Sequence, residues 1–331
     1  MLDILCIGDA KIDIFLNIPD DDPHFNLDSS KEHLLLDFGQ KINVKDYKKD
    51  IGGNAANTAV GLTKLGKNVG LCAEIGTDEF SNFLIKTLEK ENLNTNFLKQ
   101  DENKPTSFSV CINYKSERTI LSEHVERTHS FNFLHTTAPF IYLTSLGEEW
   151  KSPYEQALKL IKNKEIKLAF NPGTLQIEDR GKLVMDLIEM SDYLFVNKEE
   201  AESLLYGKDS GLSDEKKEIK KILFGLKSLG AKNIIITDSE KGSFAMDEYS
   251  KYFQLEAIKV DVVEKTGAGD AFNAGFIAAI LENKNIQEAL VWGSLDASFV
   301  IQQVGAQKGL LKKEGMIDNL GRIGSYKTSP L

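Results

Sequence analysis

Short apolar runs alternate with stretches of helical period through much of the chain. Asp3–Ile7, Val69–Ala73, Phe140–Leu143, Leu168–Asn171, Tyr193–Val196 and Asn233–Thr237 read as buried strands. Between them, the amphipathic stretches Glu79–Glu91, Pro153–Lys164, Lys182–Met190 and Glu218–Leu229 read as helices. Strands joined by crossover helices predict a mostly parallel, doubly wound α/β sheet between helical layers, an αβα sandwich. Ligands of such sheets bind outside the carboxyl ends of the strands.

Two regions break this alternation. Ile12–Ile18 alternates with a period of two and leads into an acidic, Pro-containing segment, Pro19–Asp28. His33–Lys48 also lacks helical period, and Ser107–Tyr114 with Arg118–Ser122 predicts a hairpin around Lys115–Glu117. These read as a small β-layer, a lid built from residues 12–50 and 105–123 on a single domain of residues 1–331. Gly321–Leu331 reads as a frayed tail.

Composition narrows the chemistry. With 331 residues, 41% hydrophobic and 27% charged, the chain has ample material for a core. Its 40 Lys and Arg against 50 Asp and Glu give a net charge of -10. Such a chain has no general attraction for nucleic acid or an anionic membrane, so any phosphate it binds must be gripped locally. Cys6, Cys72 and Cys111 are too few and too scattered for a disulfide framework or a zinc site, and each lies in an apolar run that suits a buried thiol. The opening MLDILCIGDA lacks a basic leader and reads as a strand rather than a signal peptide. No apolar run approaches the ~18–20 residues of a membrane span. A cytoplasmic protein is expected.

The strongest local feature is Val262–Leu281, a strand-like Val pair followed by a Gly-rich turn and a helix rich in small residues. Gly267, Ala268 and Gly269 can turn successive N–H groups into one concavity at the helix N-terminus, which favours an anion. Asp270 falls in the first helical turn beside that anion hole. It is either a capping acid or a base that takes a proton from an attacking hydroxyl while the amides hold a phosphoryl group. A dinucleotide fingerprint is set aside, because Phe272 stands where G-x-G-x-x-G needs its third glycine.

A second cluster, Gly52–Gly66, pairs a Gly-Gly break with an apolar helix start that contains Asn54 and Asn57. Asn54 can cap the helix; Asn57 is harder to explain that way and suits a hydroxyl ligand. Asp13, just past the first strand, has a carboxylate suited to adjacent sugar hydroxyls.

These motifs resemble the ribokinase-like (PfkB) carbohydrate kinase family. GGNAANTAVGLTKLG is similar to its N-terminal signature and TGAGDAFNAGF to its C-terminal one, in that order, and the similarity runs over nearly the whole chain. The resemblance implies a ribokinase-like αβα domain with a small β-sheet lid, ATP as donor and a Mg2+ requirement. It implies Asp270 as base, the Gly267, Ala268 and Gly269 amides as anion hole, and Asp13, Gly53, Asn54 and Asn57 at the acceptor. Asn197 and Glu200 match its N-x-x-E motif, with Glu200 reaching Mg2+ through water, and Thr237, Gly242 and Asn273 would lie along the nucleotide. Asn171-Pro172-Gly173 resembles the family's loop facing the ligands, and Gly305-Ala306 a late loop near the nucleotide and monovalent cation. Two departures stand out: Glu264-Lys265 replaces the usual Asp-Thr, and Ser239 stands where glycine is common. The Asp contributes to the cation site of K+-activated members, so Glu264 is carried over as the candidate K+ ligand.

The expected function is therefore an ATP-dependent kinase acting on a hydroxymethyl group of a sugar or sugar-like acceptor. The alternatives are a nucleoside kinase, for which Phe15, Phe25, Phe38 and Phe108 could supply an aromatic slot, and a catalytically silent ligand-binding relative. A homodimer formed through the lid is also expected from the resemblance.

Overall fold

The computed structural model describes residues 1–30, 32–115, 117–123, 125–163, 165–207, 219–324 and 326–329. The first apolar run forms β1 (Ile4–Ile7), buried along its whole length. The chain then builds β2 (Lys11–Asn17), β3 (Phe25–Leu27), β4 (Leu34–Leu36) and β5 (Asp46–Gly52), and returns through α1 (Asn54–Lys64) to β6 (Val69–Cys72). Next come β7 (Glu74–Ile75), α2 (Glu79–Lys90), β8 (Lys99–Gln100), β9 (Phe108–Tyr114) and β10 (Glu117–Ser122). From β11 (Phe140–Thr144) onward the order is α3 (Lys151–Asn163), β12 (Lys167–Asn171), α4 (Thr174–Asp179), α5 (Lys182–Met190), β13 (Tyr193–Asn197), α6 (Lys198–Tyr206) and α7 (Ile219–Ser228). β14 (Asn233–Thr237), β15 (Ser243–Met246), β16 (Tyr252–Leu255), α8 (Ala268–Leu281), α9 (Ile286–Val300) and α10 (Lys313–Arg322) complete the chain.

The main sheet has eight strands in the order β16-β15-β14-β13-β12-β11-β1-β6. From β6 to β14 every pairing is parallel, as crossover helices require. β15 and β16 are antiparallel additions that the sequence reading does not contain; the tight turn over Ser239–Lys241 allows no crossover. Alternate residues of β1 feed opposite core layers. Ile4 and Cys6 pack with α1 and α8, whereas Leu5 and Ile7 pack on the α3, α5 and α7 side.

On the first of these faces, α8 is apolar on all sides because it is enclosed on all sides. Small residues let its neighbours come close. A Cβ on Gly61 of α1 would stand 2.7 Å from the Cβ of Ala274, and one on Gly275 would stand 2.6 Å from the Trp292 carbonyl of α9. The lid is a separate four-stranded sheet, β10-β9-β2-β5, in which β9 and β10 form the expected hairpin. It is tied to the body by Lys48, whose ammonium pairs with Asp50 at 2.6 Å and donates to the Val304 carbonyl at 2.9 Å.

Several expectations need correction. Val262–Val263 is not a strand: both side chains are about half exposed, and the backbone instead donates to the Ile301 carbonyl. The C-terminal segment is not frayed over its described part. Ser329 and Gln254 exchange two backbone hydrogen bonds, and the Tyr326 hydroxyl donates to the Ala257 carbonyl at 2.7 Å. The expected end of one helix at Lys164, the start of another at Glu218, the hairpin turn at Ser116 and the tail residues Ser325, Pro330 and Leu331 lie outside the described residues. No helix among the described residues is long and apolar enough to cross a membrane.

Candidate active site

A cleft of about 230 Å³ opens at the carboxyl ends of the central strands. Asn171, Asn197 and Thr237, the last residues of β12, β13 and β14, form one wall, and the turn Gly267–Asp270 at the start of α8 forms the other. Asn54, Glu200, Lys265 and Asn273 also line it, with Phe195, Val196 and Ile235 as its apolar part. The cleft sits where a doubly wound sheet leaves room for a ligand.

Gly267 is the N-cap of α8 with φ 76°, and a Cβ there would lie 2.4 Å from that of Ala306. The turn needs glycine on both counts. At Gly269 a Cβ would meet nothing within 4 Å, so the missing side chain leaves space in the cleft beside the first-turn amides. These N–H groups have no intrahelical acceptor, and they add to the helix dipole at that end.

Asp270 is only 8% exposed. Burial pushes its carboxyl up to about 7, and the neighbouring Asp13 and Glu200 charges push the same way, while a hydrogen bond from Asn57 and the charge of Lys11 oppose the rise. The Asn57 amide donates to Asp270 Oδ2 at 2.9 Å. A carboxylate titrating near neutrality in a cleft is suited to general-base work.

The N-x-x-E residues are held by each other. Asn197 caps α6 by accepting from the Glu200 N–H at 2.8 Å, and Glu200 Oε2 accepts from the Asn197 N–H at 2.8 Å. Burial raises the Glu200 pKa. No group of three His, Cys, Asp or Glu side chains converges on a metal position among the described residues. The one carboxyl among the residues lining this side of the cleft beside Asp270, Glu200, suits an ion that keeps most of its waters, as Mg2+ does.

Asn273 lies on the cleft floor, where its amide nitrogen donates to the Tyr142 hydroxyl at 3.1 Å and to Asn171 Oδ1 at 3.2 Å. Tyr142 in turn donates to Asn171 at 3.1 Å, and burial raises its pKa. Tyr142 carries no sequence signal; it reads as one more apolar position of a strand.

Of the other predicted residues, Asn54 lies at the rim of the cleft and the rest stand apart from it. Asn54 does not cap α1: Gly53 holds the cap position with φ 95°, without a side-chain bond, and Asn54 is exposed at the rim. Asn57 is buried behind Asp270, with its oxygen accepting from Gln307 at 2.9 Å. Asp13 is buried in β2, accepts a hydrogen bond from Ser109, and has its pKa raised chiefly by desolvation. Gly242 does not line the cleft: a Cβ there would collide with the Leu255 carbonyl of β16 at 2.0 Å, so it belongs to the antiparallel extension. Ser239 has φ 43°, which is the physical reason glycine suits that position. Glu264 is also buried; its Oε1 accepts from the Thr266 hydroxyl and its Oε2 from the Gly305 N–H at 2.9 Å.

Lys11 escapes the sequence reading. It opens β2, its ammonium is 3.1 Å from Ser122 Oγ, and its charge acts on both Asp13 and Asp270. A lysine after a strand looks like a solvated end, so only the fold reveals this placement. Lys265 borders both the cleft and a second cavity of about 220 Å³, which lies between the lid residues Asn17, Asn113 and Arg118 and the body.

The family described as pfkB family carbohydrate kinase matches residues 1–313. A 5-dehydro-2-deoxygluconokinase of Clostridium botulinum is 28% identical over 281 residues, which cover 78% of this chain and 80% of the relative. The ribokinase of Haemophilus influenzae is 26% identical over 292 residues, covering 85% and 91%. Among solved structures, the nucleoside kinase of Methanocaldococcus jannaschii matches with a TM-score of 0.77 at 24% identity, covering 97% of this chain and 99% of that one.

Proposed function

Because the chain belongs to the pfkB family of carbohydrate kinases and is therefore a phosphotransferase, we propose that it transfers the γ-phosphate of ATP to a hydroxymethyl group of a sugar or sugar-like acceptor. The observation that carries this reading is Asp270: a buried carboxyl pushed up to about 7 at the N-terminus of α8, beside a turn kept open at Gly269, where the Ala268 N–H donates to the Lys265 carbonyl at 3.3 Å. The acceptor hydroxyl gives its proton to Asp270 as its oxygen forms the new bond to the γ-phosphorus. The bond from that phosphorus to the bridging oxygen breaks, and ADP leaves with the electron pair. The Gly267, Ala268 and Gly269 amides hold the charge on the transferring group. Asn197 and Thr237 lie along the nucleotide, and Asn273 shapes the floor beneath it. Glu200 would hold Mg2+ through water, and the ion would neutralise phosphate charge when bound.

Asp13, Gly53 and Asn54 are assigned to the acceptor side, with Lys11 opposing the charge of Asp13. The nucleoside reading is weaker here because its aromatic slot is already spent in packing. Phe15 and Phe25 are buried, Phe108 lies 5.8 Å from Phe80, and Phe38 is fully exposed on a loop. Glu264, with both oxygens already accepting, acts as a strut between the phosphate turn and the Gly305 loop rather than as a K+ ligand. Pairing of two copies through the lid is supported by the exposed Leu35, Leu36, Tyr47, Ile120 and Leu121; sedimentation at micromolar concentration should give twice the chain mass.

The test is ADP release from Mg-ATP against pentoses, hexoses, their phosphates and nucleosides, with K+ or with Na+ only. Turnover of a sugar at a rate indifferent to K+ is expected. A nucleoside as the sole acceptor would replace the sugar reading, and a strict need for K+ would return Glu264 to a cation site.

A further inference from the structure

Behind the base, three side chains form a single file. Asn57 Nδ2 donates to Asp270 Oδ2 at 2.9 Å, and Gln307 Nε2 donates to Asn57 Oδ1 at 2.9 Å and points at the Ile51 carbonyl at 3.4 Å. All three are at most 8% exposed. Gln307 is itself pinned, because its backbone carbonyl accepts from Lys64 at 3.1 Å. From this file we infer that Gln307 is a positioning residue for the transfer: it fixes the Asn57 amide so that Oδ2 of Asp270 is always an acceptor and Oδ1 takes the proton.

The inference rests on the reading of Asp270 as base, and it follows from polarity. An ionised carboxylate only accepts hydrogen bonds, whereas an amide has a donor end and an acceptor end. Asn57 must therefore show Asp270 its NH2 group and turn its oxygen to Gln307. Gln307 must answer with its own NH2, and the Ile51 carbonyl, also an acceptor only, faces the same group. Flipping either amide would set two donors or two acceptors face to face in a site with little water to relieve them. Among the described residues no hydrogen bond is recorded to Oδ1, so that oxygen is left for the acceptor hydroxyl. The other ionisable groups facing Asp270 are Lys11 and Asp13 of β2, Glu200 of α6 and Tyr142 of β11, and none of them belongs to the file.

The experiment follows the Asp270 carboxyl directly. The full chain, 13C-labelled at aspartate carboxyls, is titrated as wild type, Gln307→Glu and Gln307→Met. Gln307→Glu is nearly isosteric but reverses the polarity. Its carboxylate draws the Asn57 NH2 group away and turns the Asn57 oxygen onto Asp270, so the Asp270 midpoint should rise by at least roughly one pH unit, from the lost bond and the added like charge together, and the uncharged Gln307→Met isolates the bond. Gln307→Met, which leaves Asn57 unfixed, should give a smaller rise. With D-ribose and D-fructose as probe acceptors, kcat should fall several-fold at pH 7, with the loss closing at higher pH and KM for ATP unchanged. An Asp270 midpoint that stays at the wild-type value in both folded variants overturns the inference, as does a loss of kcat equal at every pH. Asp270→Asn, run alongside, separates the two readings. Near-normal turnover removes Asp270 as base, whereas an inactive Asp270→Asn with unmoved midpoints in the Gln307 variants overturns only the role of Gln307.

Discussion

At the scale of single residues, the site is a problem of keeping one carboxyl poised. Asp270 is buried beside two other acids and steadied by one amide, so it is half ionised near neutrality. A base must be ionised to act, so kcat/KM should fall about tenfold per pH unit below a midpoint near 7 and level off above it. A profile flat down to pH 5 would contradict this. The two glycines of the turn make different demands. Gly269→Ala should leave Tm unchanged or raise it slightly, since Ala favours a helix by up to ~1 kcal/mol, while raising KM for ATP by filling the cleft. Gly267→Ala should lower stability by ~1–3 kcal/mol, because both its φ and its approach to Ala306 exclude a Cβ. Thermal melts and ATP titrations of the two variants distinguish space kept for a ligand from space needed by the chain. The turn and the place of Asp270 in the first turn of α8 were legible in the sequence, because a glycine break before a run of small apolar residues marks a helix start. The roles of Asn57 and Gln307 were not, because 250 residues separate them and only the fold brings their amides together.

At the scale of elements, α1 and α8 carry the site between them. Asn57 stands in the first turn of one and Asp270 in the first turn of the other, and their meeting depends on how closely the two axes approach. Gly61 and Ala274 set that distance. Gly61→Val should therefore cost ~1–3 kcal/mol of stability and also lower kcat several-fold, as the Asn57–Asp270 bond lengthens. A melt showing destabilisation with kcat untouched would mean that the helix contact does not govern the base. The periodic helices were read nearly to the residue: Lys182–Met190 coincides with α5, and Glu79 opens α2 where Asp78 caps it at 2.9 Å. Where the reading failed, periodicity had nothing to report. α9 is buried along most of its length and β15 and β16 are strands of four residues each, whereas α8, buried over most of its length too, was read from the glycine turn that opens it. The Val262–Val263 pair misled because β-branched residues suit an exposed extended segment as well as a strand.

At the scale of the whole molecule, an eight-stranded sheet that presents its strand ends to the cleft is joined by a smaller four-stranded sheet. Ile12 and Ile51 of the smaller sheet are buried in the core on the α1 side, and Lys48 adds a polar tie, gripping the Val304 carbonyl two residues before the Ala306 that packs against Gly267. The smaller sheet and the glycine turn thus share one loop, with Glu264 bracing it from the other side. The doubly wound sheet and the lid hairpin were legible because both depend on local pattern. The second lid edge, β5, was not, since Asp46–Gly52 carries charges where a half-buried strand would alternate. The chemistry of this architecture converges on one group, and replacing that group asks the most direct question. Asp270→Asn, assayed for phosphoryl transfer from Mg-ATP to the acceptor that the wild type uses best, should turn over several orders of magnitude more slowly. It should bind ATP as the wild type does and melt no lower at pH 8, because it removes a buried charge. Turnover within tenfold of the wild type would contradict the assignment of Asp270 as the base.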